Sequence, residues 1–74
     1  MNNQRRKTIK EPVDLIRQAY DLLESVRDEE EECMDNMPEN LQGTERYESM
    51  EAAVSDLEDV MDSLETAEST LEDL

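Results

Sequence analysis

The second half of the chain repeats a seven-residue pattern, which constrains the fold more than any other feature. From Ala53 the sequence divides into AVSDLED, VMDSLET and AESTLED, followed by Leu74. An apolar stripe with this period predicts an amphipathic helix that packs against other helices. We expect the helix to run from about residue 45 to 74, with Thr44 as its N-cap. Its stripe comprises Tyr47, Met50, Val54, Leu57, Met61, Leu64 and Leu71, with Glu68 at the core position that follows Val54 and Met61, and is widened on one side by Ala53, Val60, Ala67 and Leu74.

The first half of the chain predicts a second helix, from about residue 9 to 37. Thr8 and Glu11 have the spacing of a capping box, while Pro12 costs one hydrogen bond, so the helix is expected to begin between residues 8 and 12. Its apolar stripe is broad enough to contact more than one neighbour. One frame contains Ile9, Ile16, Leu23, Glu30 and Met37, with Ala19, Val26 and Cys33 at the companion core position; Val13, Tyr20 and Met34 widen one side, and Leu15 and Leu22 the other.

Between the two helices, the stretch DNMPENLQGTERYESME is interpreted mainly as a turn. Pro38 disfavours helical geometry at Met37, Gly43 permits a positive φ, and Thr44 caps the second helix. A connection at about residues 38–43 between helices of similar length predicts an antiparallel hairpin. Residues 1–8 are expected to form a flexible basic arm.

We therefore expect an all-α fold, in which an antiparallel, coiled-coil-like two-helix hairpin dimerises into a four-helix bundle. A chain of 74 residues without Phe or Trp builds only a thin core, and its single cysteine cannot form an internal disulfide. Self-association would bury both stripes. The expected oligomer core comprises Ile16, Tyr20, Leu23, Val26, Met50, Val54, Leu57, Val60, Met61, Leu64 and Leu71.

The charge of the chain is −15 and unevenly distributed. Residues 1–27 carry six bases and four acids, whereas residues 28–74 carry one base, Arg46, and 18 acids. Phosphate groups would be repelled by such a surface, which argues against direct binding to nucleic acid or to an anionic membrane. A basic protein surface is the favoured partner.

Two sets of acids are candidates for contacting that partner. The first is a run at the end of helix one, where the partial negative charge of the helix terminus makes carboxylates unfavourable. The second is a ladder of glutamates that repeats every seven residues along helix two. The alternative is a solvated patch that only confers solubility. The candidate residues are Asp28, Glu29, Glu30, Glu31, Glu32, Asp35, Glu51, Glu58, Glu65 and Glu72.

Enzyme chemistry, a cofactor and a dedicated metal site are not expected. The chain has no histidine, and Cys33 has no base near it in the sequence, which favours its interpretation as a core residue. The acidic runs lack the alternating ligands and glycine of a calcium loop. No apolar run is long enough to span a bilayer, and a lone cysteine suits a reducing cytoplasm.

The turn also carries a resemblance that covers about residues 10–74. The chain resembles a group of small, acidic, uncharacterised helical-hairpin proteins of phages and mobile elements in gut Firmicutes. This resemblance implies a mobile-element origin. The residues that carry it are Asp35, Asn36, Pro38, Glu39, Asn40, Leu41, Gln42, Thr44, Glu45, Arg46 and Met50.

Charge and resemblance together favour a non-enzymatic interaction module. Its narrower form is a DNA-mimic inhibitor, anti-CRISPR-like, that docks on a basic nucleic-acid-binding protein. The alternative is a structural or assembly helper that self-associates through its apolar stripes. Salt distinguishes the two, because charge-led binding weakens when salt screens exposed charges.

Overall fold

The computed structural model describes all residues, 1–74, and contains two long α-helices and no strand. Helix α1 spans Asn3–Asp35 and helix α2 spans Glu45–Glu72. The helices pack against each other along their lengths as an antiparallel hairpin that measures 59 × 14 × 12 Å. The predicted all-α helical hairpin is confirmed, while its dimerisation stays a prediction.

Helix α1 begins earlier than the sequence suggested. Asn2 is the N-cap, and its Oδ1 accepts a hydrogen bond of 2.8 Å from the backbone N–H of Arg5. Thr8 does not cap the helix, because its hydroxyl donates to the carbonyl of Gln4 one turn earlier at 3.1 Å. Pro12 lies inside the helix. The segment expected as a flexible arm, residues 1–8, therefore belongs largely to α1.

The connection between the helices is compact. Pro38 adopts an extended conformation and precedes a short 3₁₀ helix, Glu39–Leu41. Thr44 then caps α2: its Oγ1 accepts from the N–H of Tyr47 at 3.4 Å and donates to the carbonyl of Leu41 at 2.7 Å. Gly43 does not adopt a positive φ, and a Cβ at its position would meet no atom within 4 Å. The expected backbone role of Gly43 is therefore wrong.

The interface between the helices follows one seven-residue stripe on each. The residues of α2 in this interface are those of the predicted stripe, with Val54 and Met61 buried. On α1 the frame Ile9, Ile16, Leu23, Glu30 and Met37 faces α2 as expected, but its companion set is different. That set comprises Val13, Tyr20, Arg27 and Met34; of the expected companion residues, Ala19 is half-buried, whereas Val26 and Cys33 are exposed.

The remaining large apolar residues of α1, together with Cys33, lie outside the interface. Leu15, Leu22 and Val26 are 57%, 69% and 50% exposed, and Cys33 is exposed rather than part of a core. On α2, Val60 is also exposed. Only Met34, Val54 and Met61 are buried in the whole hairpin, so a single copy has a small core. Neither helix combines the length and apolar character needed to cross a membrane.

Candidate protein-interaction surface

The turn end of the hairpin carries a groove between the helices that is rimmed by carboxylates. Glu31 and Asp35 line it from α1, one helical turn apart, and Glu51 and Glu58 line it from α2. Buried Met34 and Val54 form an apolar floor. We call this site the acidic groove and define its four acids as Glu31, Asp35, Glu51 and Glu58.

The antiparallel register explains why these four acids meet. Residues near the end of α1 pack beside residues near the start of α2, because the connection between the helices is short. The C-terminal part of the acidic run thereby lies against the first half of the glutamate ladder. The groove joins two sequence features that are about 20 residues apart.

One base stands close to the acidic groove. Arg27 occupies the interface stripe and donates from Nη2 to Oδ1 of Asp28 at 3.0 Å. This hydrogen bond is the main cause that raises the pKa of Arg27, and the charges of Glu31 and Glu58 raise it further. A single guanidinium therefore faces Asp28 and two groove carboxylates, and no groove carboxylate forms an ion pair.

The other predicted acids lie elsewhere. Glu30 is half-buried in the interface stripe of α1, at the position that interrupts its apolar sequence. Asp28, Glu29 and Glu32 are exposed on α1 outside the groove. The acidic run is thus divided, and only Glu31 and Asp35 line the groove.

The glutamate ladder of α2 is divided in a similar way. Glu51 and Glu58 line the acidic groove, whereas Glu65 lies beside Tyr20 and Glu72 lies at the open end of the hairpin with Arg6 and Lys10. Hydrogen bonding of the Tyr20 hydroxyl with the Glu65 carboxylate is the main cause that raises the pKa of Tyr20, with desolvation second. In the first half of the ladder no glutamate forms an ion pair, and Arg27 is the base whose charge acts on Glu58.

Sequence reasoning missed the polar cluster in the half of the hairpin nearer the open end. Arg17 Nη2 donates to Oε1 of Glu68 at 2.7 Å, and its Cζ lies 5.5 Å from the centre of the Tyr20 ring. The hydrogen bond and the charge of Glu68 raise the pKa of Arg17. The available signal was Glu68 itself, a charge at an apolar position of the heptad stripe.

At the open end, the basic start of α1 meets the acidic end of α2. Arg6 Nε donates to the backbone carbonyl of Leu74 at 3.1 Å, and a shallow depression there is lined by Ile9, Lys10 and Glu72 among others. The hairpin therefore has a mixed-charge end and an acidic end. The uncompensated charge accumulates around the turn.

The acidic groove has the chemistry of a surface that receives cationic side chains. Carboxylates accept charge-assisted hydrogen bonds from guanidinium and ammonium groups, and the apolar floor can contact the aliphatic stems of Arg and Lys. No group of His, Cys, Asp and Glu side chains has an arrangement that could hold a metal ion.

No protein-family model, curated protein or solved structure matches the chain.

Proposed function

We propose that the chain is a non-enzymatic interaction module whose acidic groove docks on a basic surface of a nucleic-acid-binding protein. One observation carries the proposal: Glu31, Asp35, Glu51 and Glu58 share one groove, and Arg27 is the only base close to it. Like charges so close together lower the stability of the hairpin, since exposed carboxylates repel each other. A cationic partner would remove that repulsion on binding.

The spacing of the groove acids suits a protein that handles nucleic acid. Glu51 and Glu58 are one heptad apart, about 10.5 Å along the helix axis at 1.5 Å per residue. Glu31 and Asp35 add a second row on the facing helix. Two rows of anions separated by a groove present charge in the manner of a duplex, which also carries two anionic strands.

A DNA-mimic inhibitor, anti-CRISPR-like, is the narrower form of this function, and the mobile-element resemblance of the turn is consistent with it. The docking region would be the turn end alone, because Glu65, Glu68 and Glu72 lie beside groups of α1 that donate hydrogen bonds or carry positive charge. Direct contact with nucleic acid is disfavoured by the charge of −15.

A second candidate function is that of an assembly helper. The observation that favours it is the exposed apolar stripe of α1 with Leu15, Leu22 and Val26, which the hairpin itself does not cover. In that case the partner would bind through the apolar stripe, and binding would persist at high salt. Docking driven by charge should instead weaken steeply above about 0.1 M salt, where the Debye length is about 10 Å.

The test compares two variants of equal charge. In the groove variant, the four acids are replaced by their amides: Glu31→Gln, Asp35→Asn, Glu51→Gln and Glu58→Gln. In the control variant, four exposed acids outside the groove are replaced: Asp21→Asn, Asp59→Asn, Asp62→Asn and Asp73→Asn. Tagged forms of both variants and of the natural chain serve as bait in nuclease-treated bacterial extract, and captured proteins are eluted with duplex DNA.

We expect the natural chain and the control variant to capture the same nucleic-acid-binding protein, which duplex DNA releases, and the groove variant to lose it. Equal capture by both variants would contradict the proposal, because diffuse charge would then suffice. Capture that withstands 0.5 M salt and requires Leu22 would favour the assembly helper.

A further inference from the structure

The hairpin leaves one broad face uncovered, and this face is separate from the acidic groove. Leu15, Ala19, Leu22 and Val26 follow each other on α1 at spacings of four, three and four residues; Ala19 is half-buried and the other three are exposed. Such spacing places them on one side of the helix, beside the interface stripe. We call these four residues the outer seam.

Helix α2 extends the same face. In an antiparallel pair of helices, the residues directly before equivalent core positions lie on the same flank of the pair. On α1, Ala19 and Val26 directly precede the interface residues Tyr20 and Arg27. On α2, the equivalent residues are Ala53, Val60 and Ala67, which precede Val54, Met61 and Glu68. The acidic groove lies on the opposite flank, which contains Glu31, Glu51 and Glu58.

We infer that the outer seam binds a second copy of this chain in antiparallel orientation, with each α1 lying along the α1 of the other copy and each turn end beside the other's open end. The apolar residues of the outer seam are arranged symmetrically about its midpoint. Reversing it about its midpoint exchanges Leu15 with Val26 and Ala19 with Leu22. Two antiparallel copies therefore bring a large apolar residue opposite an apolar residue in every layer.

The two ends of α1 carry opposite charge, which favours the antiparallel orientation. The first turns of α1 carry Arg5, Arg6, Lys7 and Lys10, whereas residues 28–35 carry six acids. An antiparallel dimer places the basic end of α1 at the same height along the helix axis as the acidic run of the second copy. The attraction acts between these two ends as a whole, since Glu31 and Asp35 stay on the opposite flank. Copies that align their turn ends would instead bring the two acidic runs together, which like-charge repulsion disfavours.

The broad face is large enough for a stable interface. Its outline measures 59 by 14 Å, which is of the same order as the roughly 800 Å² of accessible surface that each partner contributes to a standard stable interface. A second copy on this face would cover Leu15, Leu22, Val26 and Val60, all of which are at least 48% exposed in one hairpin. The single hairpin buries only three residues, so covering this face with a second copy would enlarge its apolar core.

Cys33 makes the orientation measurable. In the proposed dimer Cys33 lies level with Thr8 of the second copy, one layer beyond the pair formed by Pro12 and Glu29. The two Cys33 residues are then about 37 Å apart along the helix axis, at 1.5 Å per residue. We therefore expect Thr8→Cys to form a disulfide-linked dimer on mild oxidation, and the natural chain to form none. Asp21→Cys, on another side of α1, is the control that should not crosslink.

The interface itself is tested by mass in solution. Light scattering should give twice the 8.6 kDa chain mass for the natural protein. Leu22→Glu should raise the dissociation constant of the dimer at least about 100-fold, because two carboxylates would be buried without partners. Leu41→Glu makes the same change at an exposed leucine of the turn, outside the outer seam, and should leave the mass unchanged.

Each other result overturns the inference. A monomeric natural chain, or a dimer that persists in Leu22→Glu, removes the outer seam as the interface. A disulfide between Cys33 residues of the natural chain, or a dimer that Thr8→Cys does not crosslink, removes the antiparallel orientation. If Leu22→Glu loses the circular dichroism signal of a helix, the variant is unfolded, and the crosslinking of Thr8→Cys alone tests the inference. Because the outer seam and the acidic groove share no residue, failure here is separate from failure of the proposed function.

Discussion

Arg17 of α1 and Glu68 of α2 form the one ion pair that joins the two helices, with Nη2 and Oε1 2.7 Å apart. Glu68 has only 15% of its side chain exposed, because it takes an apolar position in the stripe of α2. The guanidinium of Arg17 also lies 5.5 Å from the centre of the Tyr20 ring. This contact joins the two helices at a point where the apolar stripe of α2 is interrupted.

We expect Arg17→Met and Glu68→Gln each to lower the melting temperature, and the double variant to lower it by less than the sum of the two. Coupling of this kind is the signature of a direct contact. Thermal unfolding followed by circular dichroism measures it, with Arg5→Met as the control, since Arg5 forms no ion pair. Strictly additive losses would show that the two side chains do not stabilise the hairpin through their contact.

Met61 is the most buried residue of the hairpin, with 2% of its surface exposed. Met61→Ala should cost about 2–5 kcal/mol, as buried methionines do when truncated. This cost is comparable with the roughly 3–5 kcal/mol that a core of this size supplies, so the variant should be largely unfolded at 25 °C. Urea titration of the natural chain, Met61→Ala and the exposed control Met1→Ala checks this. A Met61→Ala chain as stable as its control would mean that the core lies elsewhere.

Glu30 occupies the interface stripe without an ion-pair partner. Glu30→Leu should raise the free energy of unfolding by about 1–2 kcal/mol, because it adds apolar burial at a half-buried site. Glu32→Leu, on the exposed side of the same turn, should change it by less than about 0.5 kcal/mol. Loss of stability in Glu30→Leu would indicate that this carboxylate has a structural role.

The raised pKa of Tyr20 predicts that the hairpin loses stability at alkaline pH. Its pKa is raised in the folded chain, chiefly by hydrogen bonding with Glu65. The folded state therefore holds the phenolic proton more tightly than the unfolded state. The resulting stabilisation is complete below the unfolded pKa of about 10 and is lost as the pH rises through the raised value. Melting temperatures at pH 9 and 11 should differ more for the natural chain than for Tyr20→Phe; equal differences would contradict the prediction.

The groove variant defined above should be more stable than the natural chain at low salt, because it removes four mutually repelling charges. The gain in melting temperature should shrink toward 1 M salt, where the Debye length falls to about 3 Å. Scans at 10 mM and 1 M salt, with the charge-matched control variant beside them, separate groove repulsion from the effect of net charge. A lower melting temperature for the groove variant would mean that the groove acids stabilise the hairpin.

The heptad spacing was enough to predict both helices, their antiparallel packing and the interface positions of α2, including the position of Glu68, but not the partner of Glu68 on α1. It could not choose between the two companion stripes of α1. Both Tyr20 and Ala19 lie within four residues of Ile16 and Leu23, so each stripe can complete the frame. Packing against α2 selected the stripe that contains Arg27 and Met34, and left Val26 and Cys33 exposed.

The predicted start of α1 was wrong, because it rested on a local capping pattern. Thr8 and Glu11 have the spacing of a capping box, yet Asn2 caps the helix and Thr8 bonds back to Gln4. The candidate site was predictable only as two separate acidic features. Their union in one groove depends on the register between the helices, and this register follows from the length of the turn and from tertiary contacts such as that of Arg17 with Glu68.

The most direct test of the central claim, that the acidic groove is the binding site, is a nuclear magnetic resonance titration of the ¹⁵N-labelled chain with an oligoarginine peptide. The amide shifts should be largest at residues 31–35 and 51–58, and they should vanish in the groove variant but not in the control variant. Shifts spread evenly over the exposed acids, with equal changes at Asp59, Asp62 and Asp73, would contradict the claim. In that case the chain would attract cations through its net charge alone.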